Sequence, residues 1–161
     1  MKRMAIYIVV VAALFFAPVE AAEIGKLHPV EVVHVYRENG GVVIETDSGD
    51  IGKGESFENA FYDLKETTPG VIYLDTADYL LITKETEDLL PRLRDVLKPR
   101  VQLCYAEQRL DLTEVARFLP AHGTLPQLGH WKQGGELPNL TSFEKRLKIS
   151  KKELDNRGMV W

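Results

Sequence analysis

The chain has 161 residues, of which 45% are hydrophobic and 27% charged, with a formal net charge of −4 and one cysteine. A mild acidic excess argues against a nucleic-acid footprint or a generally basic membrane-binding surface. A lone cysteine excludes an internal disulfide, so packing and backbone hydrogen bonds must hold the fold.

Lys2 and Arg3 precede an apolar run from Met4 to Val19, which is followed by the small residues Ala21 and Ala22. The run is shorter than the roughly 20 residues a spanning helix needs. Its layout is that of an export signal cleaved after Ala21, with Val19 and Ala21 as the small residues read by the peptidase. An uncleaved anchor helix is the alternative. Either arrangement places the globular part outside the cytoplasm, secreted or on the outer face of a membrane, and the junction carries no lipid-attachment cysteine. Removing residues 1–21 leaves 140 residues at a formal charge of −5. A domain of that size buries roughly two thirds of the surface its unfolded chain exposes.

Val30 to Arg37 and Val42 to Asp47 are β-branched runs separated by Glu38-Asn39-Gly40-Gly41. Asn-Gly suits the two positive-φ positions of a type I′ hairpin turn. Ser48 to Gly54 reads as a polar, glycine-punctuated connection. Ser56 then caps a helix whose apolar positions Phe57, Ala60, Phe61 and Leu64 share one face, and Pro69-Gly70 ends it. Val71 to Leu74 is expected to be a short buried strand, with Tyr79 to Thr83 its continuation after a turn or a second strand. Leu89, Leu90, Leu93, Val96 and Leu97 mark a second helix that must start late, so that Pro91 falls in its first turn. Val101 to Ala106 supplies another strand. Asp111 and Glu114 form a capping box for a third helix with Leu112, Val115, Ala116 and Leu119 facing the core.

Ala121 to Leu140 holds four glycines and two prolines and is expected to be a loop-rich wrap. Phe143 to Ile149 resembles a short strand with a turn, and Ser150 to Arg157 a short capped helix. Strands alternating with helices after an initial hairpin give an α/β single domain, a mixed sheet with helices packed on it. Its expected organisation is a signal over 1–21, the α/β domain over 22–140, and a C-terminal strand and helix over 141–161 packed on that domain. The last segment carries six basic and three acidic side chains. A solvated helix face accounts for this excess. Alternatively, Lys145, Lys148, Lys151 and Lys152 meet an anionic lipid or an acidic partner.

Chemistry is sparse. His28, His34, His122 and His130 have no metal-ligand spacing, and Cys104 sits in an apolar strand without a basic neighbour, so no metal, cofactor or nucleophile is expected. Asp75 and Asp78 flank a turn where paired carboxylates can perform acid–base chemistry, although Asx turns explain both. Gly49, Gly52 and Gly54 lack the order and the Lys-Ser/Thr of a phosphate loop, and loop flexibility is the reading preferred for them. Asn139-Leu140-Thr141 matches a glycosylation sequon.

In this order the chain resembles the N-terminal part of the Ger(x)C family, the C subunits of spore germinant receptors. Glu23-Ile24 leading into Val30 to Arg37 and a hairpin is similar to the family's opening. Gly54 to Ile82, GESFENAFYDLKETTPGVIYLDTADYLLI, is similar to its helix and following strand. Leu89 to Leu97 and Val101 to Ala106 continue that order, and Ser142 to Trp161 resembles a family segment through Phe143, Leu147, Glu153 and Gly158. The resemblance implies a non-enzymatic receptor or assembly role with membrane subunits in sporulation or germination, and it transfers no catalytic residue. Family members are typically lipoproteins with further domains. The expectation here is therefore a free-standing or truncated first domain without the lipid.

The leading expectation is thus an exported protein-interaction module that is not an enzyme. A second class is an extracytoplasmic small-ligand binder or hydrolase that gathers Asp75, Asp78 and a histidine of the loop-rich segment. A third is a structural envelope or spore-layer component.

Overall fold

A computed structural model describes residues 27–107, 109–121, 125–132 and 135–140. The expected signal segment, His122 and all of residues 141–161, including the four candidate lysines, lie outside the described residues. The elements in chain order are β1 (Leu27–Pro29), β2 (Val32–Glu38), β3 (Gly41–Thr46), β4 (Ile51–Gly54), α1 (Phe57–Thr67), β5 (Val71–Tyr73), β6 (Tyr79–Ile82), α2 (Leu90–Val96), β7 (Gln102–Tyr105) and α3 (Leu112–Phe118). Short 3-10 turns occupy Leu74–Thr76, Lys84–Leu89 and Leu119–Ala121. The expected α/β domain with a mixed sheet is the fold observed.

Five strands form one sheet in the order β4-β3-β2-β6-β7. The pairs β2/β3 and β3/β4 are antiparallel, whereas β2/β6 and β6/β7 are parallel. Asn39 (φ 52°) and Gly40 (φ 82°) make the two-residue turn of the expected hairpin. That turn sets Glu38 opposite Gly41 and, continuing the register, His34 opposite Glu45.

A second, two-stranded parallel pair, β1 and β5, precedes β2 and β6 along the same two stretches of chain. Side chains bridge the interruption between the two ladders. Thr76 Oγ1 accepts from the Val30 amide at 3.0 Å, while Asp47 Oδ1 accepts from the Glu31 and Val32 amides, each at 3.0 Å. Backbone donors that the break leaves without a strand partner are thereby satisfied.

One sheet face carries Val33, Val35, Val42, Ile44, Leu80, Ile82 and Leu103, and α1 and α2 cover it with Phe57, Ala60, Leu64, Leu90 and Leu93. Period-2 alternation in the strands and the 3- and 4-residue spacing in the helices produce this layer. Ser56 Oγ accepts from the Asn59 amide at 3.2 Å and starts α1. Pro91 lies in the first turn of α2, as its missing N–H requires, and a 3-10 turn takes up Lys84–Leu89 before it.

The glycines after the hairpin differ from the flexible loop expected of them. Gly52 and Gly54 lie within β4, and a Cβ on Gly52 would sit 2.2 Å from the Ala60 carbonyl oxygen and 2.5 Å from Leu64 Cβ. They are glycine because α1 lies directly on the strand. Gly49 alone, at φ 89°, has the turn role.

The opposite face carries Val32, Tyr79, Leu81, Cys104 and Ala106, covered by Leu112 and Val115 of α3 and by Leu119 of the 3-10 turn after it. Asp111 Oδ1 caps α3 by accepting from the Thr113 and Glu114 amides. The described residues between Ala121 and Leu140 form the expected wrap and run along the free edge of β7. There the Pro126 and Pro138 carbonyls accept from the Leu103 and Tyr105 amides at 2.7 and 2.9 Å.

Candidate functional site

The chain leaves β6 toward the face covered by α2 and leaves β7 toward the face covered by α3. Adjacent parallel strands whose connections diverge in this way open a crevice outside their carboxyl ends, the usual ligand position in open α/β sheets. A concavity of about 420 Å³ lies there. Its lining comes from β2 (His34, Tyr36, Arg37), from the connection after β6 (Thr83, Lys84, Glu85) and from the connection after β7 (Glu107, Arg109). Fully buried Thr86 fixes the middle wall, accepting from the Thr83 amide at 3.1 Å and donating to the Val35 carbonyl at 3.1 Å.

His34 is wholly buried, and neither ring nitrogen makes a hydrogen bond. Burial pushes its pKa from 6.5 down to about 4; the Glu45 charge and the nearby Ala106 carbonyl oppose that shift without reversing it, and Arg109 adds to it. The ring is therefore neutral at pH 7, offering one donor and one acceptor. Tyr36 packs against it with ring centroids 4.8 Å apart.

Glu45, the cross-strand neighbour of His34, is itself buried. Its carboxylate accepts from the Tyr36 hydroxyl at 3.3 Å and from Arg109 Nε and Nη2 at 3.1 and 2.9 Å. Arg109 reaches it as a largely exposed arm, its side chain 60% accessible. Arg37 is committed elsewhere, donating to Asp88 at 2.8 Å and to the Glu85 carbonyl at 3.0 Å. Among the described residues Lys84 has no carboxylate partner.

The residues expected to supply acid–base chemistry do not gather. Asp75 and Asp78 are exposed and face Lys98 and Arg100 at 3.6 and 3.9 Å, so each carboxylate has a surface cation in place of an imidazole. His28 lies 3.9 Å from Asp50, and His130 is exposed in the wrap. Cys104 is buried, and desolvation pushes its thiol up to about 12, which makes it inert as a nucleophile. Among the described residues no cluster of His, Cys, Asp or Glu could hold a metal ion, and no helix is long and apolar enough to cross a membrane.

Sequence reasoning missed Tyr36, Glu45 and Arg109. The first two were accessible to it. An Asn39-Gly40 two-residue turn sets the register, which puts Glu45 across from His34 and Tyr36 two residues along on the same face. Arg109 carries no such signal, because its approach depends on where the β7 connection crosses the sheet.

A second concave region has the opposite character. Two adjoining hollows of about 340 and 400 Å³ share Phe61, Lys65, Asp95 and Val96, making a groove between α1 and α2 that runs on to β5. Phe57 and Tyr62 line one end, and Ile72, Tyr73 and Leu74 the other. Phe57 and Phe61 stack at 5.9 Å, Lys65 Nζ lies 4.2 Å from the Phe61 ring centre, and Arg92 and Glu58 pair across the rim at 3.3 Å. Here β5 departs from expectation. Val71 and Tyr73 are exposed and only Ile72 turns inward, in a strand that pairs with β1 alone and stands outside the five-stranded sheet.

No protein-family model, curated protein or solved structure matches the chain.

Proposed function

We propose that the chain is an exported, non-enzymatic interaction module that receives an apolar segment of a protein partner in the groove between α1, α2 and β5. One observation carries the reading. Of the three exposed large hydrophobic residues among those described, Tyr62 (65%) and Tyr73 (42%) line this groove from opposite ends, and Val71 (59%) lies in the same strand as Tyr73. Scattered exposed apolar side chains are ordinary on a folded surface, whereas their convergence on one concave strip marks an interaction site. Tyrosines suit it because each brings a rigid apolar ring with a polar tip, the type that anchors interfaces.

The segments of sequence similar to germinant-receptor C subunits supply the partner class, a membrane subunit in sporulation or germination. Lys145, Lys148, Lys151 and Lys152 would add an electrostatic contact with an anionic lipid or acidic partner, weakened by salt. The test is capture of solubilised membrane proteins from a sporulating culture, with bound species identified by mass spectrometry. Wild-type chain should retain a membrane subunit that the double variant Tyr62→Glu, Tyr73→Glu releases. Equal recovery by the two chains, or recovery of no membrane subunit by the wild type, refutes the reading. Mass spectrometry of the mature N-terminus checks export, with Ala22 expected as the first residue. A second reading, small-ligand binding at the carboxyl ends of the parallel strands, is favoured by the unpartnered His34.

A further inference from the structure

We propose that the concavity at the carboxyl ends of β2, β6 and β7 binds a small organic cation, an amine or guanidinium, whose charge takes the place of Arg109 on the Glu45 carboxylate. The proposal is independent of the apolar groove and rests on the polar end of the other sheet face.

Four observations converge on this chemistry. First, Glu45 is a buried carboxylate, and a buried carboxylate needs a cation and hydrogen bonds to remain charged. Its cation comes from Arg109, a mostly exposed side chain that spans from the concavity wall to the carboxylate. Glu45 does not itself line the concavity. It is reached through Arg109 and Tyr36, each of which lines the hollow and contacts its carboxylate.

Second, His34 lies fully buried in the wall with no well-formed hydrogen bond at either ring nitrogen; the Ala106 carbonyl acts on the N–H side of the ring and leaves the acceptor nitrogen free. An unsatisfied buried polar group costs about 1–3 kcal/mol. A ligand N–H can donate to the free ring nitrogen once Arg109 moves aside. Third, the ring is neutral, so it does not repel a cation as an imidazolium would. The Tyr36 ring beside it supplies the aromatic surface on which a cation is further stabilised.

Fourth, the remaining charges favour a cation. With Arg109 displaced and Arg37 paired with Asp88, the remaining charges lining the hollow are Glu85 and Glu107 against Lys84, and Glu45 lies behind them. An anion would meet two lining carboxylates, and its gain from Arg109 would come only by stripping Glu45 of its counter-charge.

Arg109 competes with the ligand from within the chain, so affinity in the wild type is held down. Removing the arm should therefore tighten binding, whereas at an anion site it would abolish binding. Calorimetric titration of the full chain with methylguanidinium and propylamine, beside acetate and inorganic phosphate, tests this. The expected result is saturable binding of the two cations at millimolar concentration, with the His34 ring and Arg109 Nε–H signals shifting together in NMR spectra. Arg109→Ala should bind the cations about tenfold more tightly, Lys84→Ala at least as tightly as wild type, and Glu45→Gln not at all while keeping its folded spectrum. Should Glu45→Gln unfold, displacement of Arg109 by saturating cation in the wild-type chain serves in its place, and an Arg109 Nε–H signal that stays unmoved while the cation binds would overturn the proposal. Binding of the anions alone, cation binding that survives Glu45→Gln, or cation binding by Arg109→Ala but not by wild type would overturn the proposal. The last result would make the ion pair a tether for the β7 connection and nothing more.

Discussion

The two faces of the central sheet are built from alternate residues of the same strands and finish very differently. Toward α1 and α2, Val33, Val35, Leu80 and Ile82 find apolar partners along their whole length. On the other face α3 covers Val32, Tyr79 and Leu81, and further along β2 the same face presents His34 and Tyr36 above Glu45. One face is closed by packing. The other is closed for part of its length and then handed over to charge and hydrogen bonding. A polar end of this kind adds nothing to a hydrophobic core, and a chain selected only for stability would have placed valine or leucine at positions 34 and 45.

Four measurements sharpen that contrast. The largest effect belongs to the helical face. Gly52→Ala sets a methyl against the Ala60 carbonyl and Leu64 and is expected to cost about 3 kcal/mol or more in chemical denaturation, because backbone must move to admit it. A loss below about 1 kcal/mol would mean that α1 sits less firmly on β4 than its packing implies.

Next is the pH dependence of the polar face. His34 titrates near 4 when folded and near 6.5 when unfolded, so between those values the unfolded chain binds the extra proton. Stability is therefore expected to fall by about 3 kcal/mol as pH drops from 6.5 to 4, and to level off below 4 as far as His34 is concerned. His34→Leu should remove that part of the slope. A variant retaining the full slope would assign it to the carboxylates.

A smaller loss is expected where the two ladders meet. Asp47→Ala leaves the Glu31 and Val32 amides without their acceptor and should cost about 1–2 kcal/mol, with faster hydrogen exchange at those two amides. The smallest effect on folding is that of Tyr62→Glu, which should shift stability by no more than about 0.5 kcal/mol because the side chain is 65% exposed. Its consequence should appear in partner recovery alone. A large stability loss would make Tyr62 a packing residue instead of a docking one.

Much of the fold was legible because it depends on local rules. The Asn39-Gly40 turn, the Ser56 and Asp111 caps and the late start at Pro91 are each fixed by residues adjacent in sequence. What escaped depends on distant chain. Gly52 and Gly54 read as loop because the reason for them is a helix lying on the strand, which no local pattern reveals. Val71 reads as buried by composition, yet its exposure follows from which strand pairs with which. The polar site was legible in half. Hairpin register places Glu45 beside His34, while Arg109 arrives from 64 residues away.

The loop-rich wrap has a consequence for how copies of the chain meet. Along the outer side of β7 the amides of Leu103 and Tyr105 are already taken, and the acceptors belong to Pro126 and Pro138, whose own nitrogens can donate to nothing. A strand finished in this way cannot serve as a template for another chain's strand, and the two prolines add no donor that would carry pairing outward. Edge-to-edge polymerisation through β7 is thereby blocked by the chain itself, at a border where Cys104 and Leu103 would otherwise propagate an apolar ladder.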